Sequence, residues 1–205
     1  MNTLDIVFQI AILVMSVVIH EVSHGYVAGM LGDPTARLAG RLSLNPLRHL
    51  DPIGSIIVPI ITAFSGFTFG WAKPVPVNPY NLKGGQRGEG IVAAAGPLSN
   101  LLIALIFGLI IRFGVAGGLL SLSILNISAI IVLINITLCV FNLMPAPPLD
   151  GSKILFALLP VRFIRFQQWA ERSSLILVVI FVFFLWQYFE PLITFLFTFV
   201  TGMSF

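Results

Sequence analysis

The feature that most constrains this chain is a set of apolar runs, at residues 6–18, 91–111, 119–140 and 175–186, that approach or reach the width of a bilayer. In 205 residues, 58% are hydrophobic and only 9% charged. A water-soluble globule of this size must show much of its surface to solvent, and it cannot bury that much apolar material. The expectation is an all-α, polytopic membrane protein in which the whole chain, 1–205, forms a single integral-membrane domain. No large extramembrane module is expected at either end.

Four spans are predicted, at about 4–31, 90–113, 119–144 and 174–200. Gly32-Asp33-Pro34 stops the first, and Met144-Pro145-Ala146-Pro147-Pro148 ends the third. Pro191 is expected to kink the fourth. The stretch 52–70 is apolar but broken by Pro52, Gly54, Pro59, Gly66 and Gly70, so it reads as a re-entrant piece or a short span. Charge favours the re-entrant form. If it does not cross, Arg37, Arg41, Arg48, Lys73, Lys83 and Arg87 share a face with Lys153, Arg162, Arg165 and Arg172. Of the 11 basic residues only Arg112 then lies opposite. The positive-inside tendency makes the crowded face cytoplasmic. The Pro-punctuated 71–80 stretch is expected to be extended and β-like.

The net charge of +3 is scattered over short loops rather than set in a stripe, which argues against nucleic acid. The one cysteine, Cys139, sits in an apolar run and reads as a small hydrophobe. The first apolar run has no basic leader and continues into polar chemistry, so it is not expected to be a removable signal.

That chemistry is His20-Glu21-Val22-Ser23-His24, inside the first predicted helix. Histidines at i and i+4 lie on one helical face and can point both imidazoles at one metal. Glu21 then stands beside the ion, where a carboxylate takes a proton from water and passes it to a leaving amine. An ionisable group this deep in an apolar run is functional by default. A catalytic zinc wants a third protein ligand and an open position. His49, in a polar loop, reads as a surface residue. Asp150 follows the Pro-rich break in Asn142-Leu-Met-Pro-Ala-Pro-Pro-Leu-Asp-Gly151, with apolar sequence on both sides. It is either an ordinary Asp-Gly turn or the third ligand, and the ligand reading is preferred. Asp33 and Asp51 read as turn residues beside Pro; Glu89 and Glu171 read as acids near helix starts.

These residues resemble the site-2 protease family of intramembrane zinc metalloproteases, in its compact prokaryotic branch without PDZ or CBS domains. HEVSH at 20–24, GPLSN at 96–100, the 142–151 segment and GWAKPVPVNP at 70–79 carry the likeness. The resemblance implies one Zn2+ per chain held by His20, His24 and Asp150, with Glu21 as general base. It implies a three-helix catalytic core followed by a C-terminal span. It points to Asn100, and to Asn142, as polar groups facing the site; Asn100 is either an oxyanion donor or a helix-packing amide. It further implies hydrolysis of transmembrane protein substrates near the cytoplasmic side of a prokaryotic plasma or inner membrane, as in regulated intramembrane proteolysis. Bilayer lipid and a transmembrane substrate are the partners, with self-association left open. The HEVSH helix starts almost at the first residue, so a preceding span found in some relatives is not expected. The rival reading is a divalent-metal transporter or channel using the same His/Glu/Asp cluster, against which stands the lack of an inverted repeat.

Overall fold

The computed structural model describes residues 3–51, 54, 72–118 and 120–203. Apart from Gly54, the stretch 52–70 lies outside the described residues, and the choice between re-entrant loop and short span falls there. Three helices are long and apolar enough to cross a membrane: α1, Thr3–Met30; α2, Gln86–Ala116; and α3, Leu122–Asn142. At 1.5 Å per residue the shortest of them is about 30 Å long, the thickness of a hydrocarbon core. Their outer faces carry large exposed apolar side chains, Phe8, Leu13, Leu102, Ile106 and Ile127 among them. In water such a surface would drive aggregation; in lipid it is solvated.

What the helices bury is different. On α1 the buried positions Ser16, His20, His24 and Ala28 recur every four residues. On α2 Gly96, Asn100, Ala104 and Gly108 do the same, and on α3 Ser128, Val132, Asn135 and Cys139 share one face. Small and polar residues in such stripes let backbones approach and hydrogen-bond where lipid offers no hydrophobic drive for association. The three stripes meet, and the site lies among them.

The Pro-rich break after α3 leads into α4, Asp150–Leu158, a nine-residue helix that packs along the start of α2. Two glycines permit this. A Cβ at Gly151 would strike the carbonyls of Leu143 and Met144, and one at Gly90 would strike Ala157. Asp150 is thereby set in the first turn of α4 and aimed back at the bundle.

The extended segment 72–78 is tied down at three points. Lys73 N–H donates to the His49 carbonyl at 2.8 Å, Val75 N–H to Glu21 Oε2 at 2.8 Å, and Asn78 N–H to Asp33 Oδ2 at 2.7 Å. No strand ladder forms among the described residues. Asp33 is more than the turn residue expected. It is 1% exposed and also accepts from Thr35 N–H and Oγ1–H and from the Asn81 amide, so it locks the end of α1 to the chain leading into α2. Burial alone would raise its pKa; the hydroxyl, amide and backbone donors around it outweigh burial and hold it below the usual carboxylate range.

The fourth predicted span is not one helix. α5, Ile164–Arg172, bends by 74° into the following apolar stretch, which begins as α6, Ser174–Ile180. The aromatic run Phe181–Leu185 then widens into a π turn, tightens at Trp186–Tyr188, and restarts as α7, Glu190–Thr201. Pro191 therefore begins a helix instead of kinking one, at the position where its missing N–H costs nothing. α7 packs Ile193 and Phe197 against Ala104, Ile111, Val132, Ile136 and Val140. It ends at Gly202, left-handed at φ 76°, beside Arg112, whose guanidinium donates to the Phe199 carbonyl at 2.7 Å.

Candidate metal centre

His20 and His24 stand one turn apart on α1, and their rings meet edge to face with centroids 4.7 Å apart. Each ring is oriented by a contact at Nδ1. His20 Nδ1–H donates to Asn100 Oδ1 at 2.6 Å, and His24 Nδ1–H donates to the Val92 carbonyl at 2.7 Å. Both acceptors belong to α2, and a carbonyl can only accept, so the His24 proton is fixed on Nδ1. Both Nε2 atoms consequently face inward as lone pairs. The aspartate joins them there: Asp150 Oδ2 lies 3.1 Å from His20 Nε2 and 3.2 Å from His24 Nε2, and the two nitrogens are 3.1 Å apart.

Three acceptors at those separations repel unless a cation or proton sits among them. The triangle fits a metal: tetrahedral ligands about 2.0–2.1 Å from zinc are about 3.3 Å from one another. Two imidazoles and a carboxylate are also the donor set of a catalytic zinc that leaves a fourth position open. Both histidines are buried, at 5% and 8% exposure, and Asp150 is partly so. Room for the rings comes from Gly96, where a Cβ would lie 2.5 Å from both Nε2 atoms. Among the described residues this is the one cluster of metal-ligating side chains.

A cavity of about 370 Å³ opens at the cluster. Glu21, Val75, Val92, Asn142, Pro148 and Lys153 line it beside the three ligands. Glu21 is half-buried, and one carboxylate oxygen is held by Val75 N–H. In the run Lys73-Pro-Val-Pro-Val, Pro74 and Pro76 have no N–H, so Val75 supplies the single amide between them.

Four expected residues are therefore brought together: His20, Glu21, His24 and Asp150. Asn100 is placed differently from an oxyanion donor. It is fully buried behind His20 and is not part of the cavity wall, and its amide is spent on His20, Asn135 and the Ser16 carbonyl. Asn142 is the amide that does reach the cavity, with one N–H given to the Leu138 carbonyl. His49 is not a surface residue. It is 2% exposed, its Nε2–H donates to the Ser43 carbonyl, and it stands outside the metal-ligating cluster. Sequence reading missed Val75, which acts through its backbone, and Ser16 and Asn135. Ser16 carries a signal: it lies four residues before His20, on the same helical face.

The comparisons agree with this geometry. The family model described as peptidase family M50 matches residues 114–186, which include Asp150. A Bacillus subtilis (strain 168) protein named "Putative zinc metalloprotease YwhC" is 39% identical over 158 residues, covering 75% of this chain and 69% of the relative. A Mycolicibacterium smegmatis protein named "Putative zinc metalloprotease Rip2" is 34% identical over 140 residues, 67% of this chain and 51% of the relative. The Rip2 protein of Mycobacterium tuberculosis (H37Rv) is 30% identical over 152 residues, 73% and 56% respectively. The chain thus spans about half the length of the mycobacterial relatives. No solved structure matches.

Proposed function

The chain belongs to peptidase family M50, the site-2 proteases, and from that premise we propose that it is a zinc endopeptidase cutting transmembrane substrates near the cytoplasmic side of the bilayer. The observation that carries the reading is the triangle of His20 Nε2, His24 Nε2 and Asp150 Oδ2, with Glu21 on the wall of the same cavity. Zinc, when bound, supplies a Lewis acid that polarises the scissile carbonyl and makes water acidic enough to attack at neutral pH. Everything else is done by side chains and backbone of this chain.

His20, His24 and Asp150 hold the ion, and Glu21 is the general base. Its free carboxylate oxygen takes the proton from the attacking water and returns it to the departing amine. The oxygen facing Val75 N–H stays fixed, which keeps the acid–base partner in one orientation. Asn142 faces the cavity and can donate to the oxyanion as the carbonyl becomes tetrahedral. Asn100 orients His20.

A substrate helix shields its own peptide bonds and must unwind before attack, which Gly or Pro in the substrate would ease. The extended 72–78 segment lies at the cavity and can receive an unwound strand. Among the described residues its Val77 N–H is free of a hydrogen bond, and Val77 is on the cavity wall. If 52–70 does not cross, ten of the eleven basic residues lie on the site's side of the spans, which supports a cytoplasmic opening.

The deciding experiment is cleavage of a single-span peptide in detergent or liposomes by the wild type and by Glu21→Gln. The Gln variant should keep its zinc and lose about 10²- to 10⁴-fold in kcat. Cleavage by that variant at the wild-type rate would remove Glu21 from the mechanism.

A further inference from the structure

Behind the metal centre runs a chain of hydrogen bonds whose direction is fixed from its far end. The Ile131 carbonyl can only accept, and it receives Asn135 Nδ2 at 2.9 Å. Asn135 Nδ2 also donates to Ser16 Oγ at 2.9 Å, so the Asn135 amide is oriented with Oδ1 toward Asn100. Asn100 Nδ2 donates to that Oδ1 at 2.9 Å and to the Ser16 carbonyl at 3.4 Å. Its own Oδ1 is thereby left facing His20 Nδ1. Ser16, Asn100 and Asn135 are 5%, 0% and 0% exposed, and they come from three different helices.

We propose that Asn135, supported by Ser16, is a positioning residue of the metal centre: it holds the Asn100 amide in the one orientation that makes His20 Nε2 a lone-pair ligand. The inference rests on the metalloprotease reading above. Were Asn100 flipped, its NH2 would face Nδ1. His20 would then carry its proton on Nε2, the atom aimed at the ion, and could not ligate. A buried amide with no partner on its far side can flip; one whose N–H groups are claimed by Oδ1 and a carbonyl cannot. Residues in this outer position usually govern metal affinity.

The test is zinc retention, by competition with a chromophoric chelator, together with the visible spectrum of the cobalt-substituted protein. Asn135→Leu, close in shape but without polar atoms, should bind zinc about 10- to 100-fold more weakly and shift the cobalt bands, and Asn100→Leu should do the same. The double variant should be no weaker than Asn100→Leu alone, because Asn135 acts only through Asn100. Asn135→Asp keeps an acceptor toward Asn100 and should recover most of the affinity. Ser128→Ala, buried on the same helix but outside the chain of bonds, should leave zinc binding unchanged. Independent, additive losses in the double variant, or equal losses for Asn135→Leu and Asn135→Asp, would overturn the inference and mark Asn135 as a packing residue. Zinc lost by Asp150→Ala but kept by Asn135→Leu would overturn it while leaving the site standing. Zinc kept by Asp150→Ala would overturn both.

Discussion

Gly96 and Gly108 lie on the same stripe of α2, and each makes room for a neighbouring helix in a different way. At Gly96 the space is filled by two imidazoles, with Asn100 one turn further on holding one of them. At Gly108 it is filled by Val200 of α7, and the surroundings are Ala104, Ile111, Val132 and Phe197. One helix thus serves a polar half, where hydrogen bonds fix direction, and an apolar half, where only volume matters. The polar half specifies function because each buried group there must face a particular partner. The apolar half specifies only that α7 fits.

The sharpest way to break that comparison is to fill both spaces. Gly96→Ala should cut bound zinc below about a tenth of an equivalent and abolish cleavage, since the imidazoles must leave the ligand triangle. Gly108→Ala should cost about 1–3 kcal/mol of overpacking, read as a lower Tm in detergent, with zinc content unchanged. Zinc loss in both would mean that the two halves are not separable.

A smaller effect concerns Glu21. Val75→Pro removes the one N–H that reaches its carboxylate. A hydrogen bond to a charged group is worth about 1.5–3 kcal/mol, so kcat should fall about ten- to a hundredfold. KM and zinc should change little, and Val75→Ala should behave like the wild type. A loss in KM alone would assign the segment to substrate binding only.

Asp33 tests a buried polar group away from the metal and outside α2. Its folded pKa lies below its unfolded value, so its contribution to stability is complete above the ordinary carboxylate range and disappears as pH falls through the lowered value. Wild-type thermal stability should drop over that acid interval. The Asp33→Asn variant should be less stable at neutral pH and should lack the part of the acid drop that belongs to this carboxylate, a difference that titration by light scattering or calorimetry would reveal. Smallest of all, Arg112→Ala should cost within about 1 kcal/mol and leave cleavage intact, because its bond to the Phe199 carbonyl is exposed.

The sequence made the polar half legible where chemistry and spacing coincide. His20 and His24 share a helical face by arithmetic, and Asp150 follows a break no helix can cross. The three long spans were legible from composition, because lipid demands unbroken apolar helices. What escaped was decided by partners far apart in the chain. Whether Asn100 faces an oxyanion or an imidazole depends on Asn135, thirty-five residues away. His49 looked solvated because its loop is polar, yet it is buried and hydrogen-bonded to Ser43 and to the extended segment at Lys73. The break before Pro191 was hidden for a different reason. An aromatic run such as Phe181–Leu185 reads as uniformly apolar, and hydropathy carries no information on where the helical turn widens.

Peptidase chemistry at this site requires an ion held between α1 and the start of α4. Zinc per chain, measured by plasma emission on purified protein, tests it most directly in Asp150→Ala against His49→Ala. One equivalent in the His49 variant, with about a tenth or less in the Asp150 variant, is the predicted result. Equal zinc in the two, or loss with His49 alone, would contradict it.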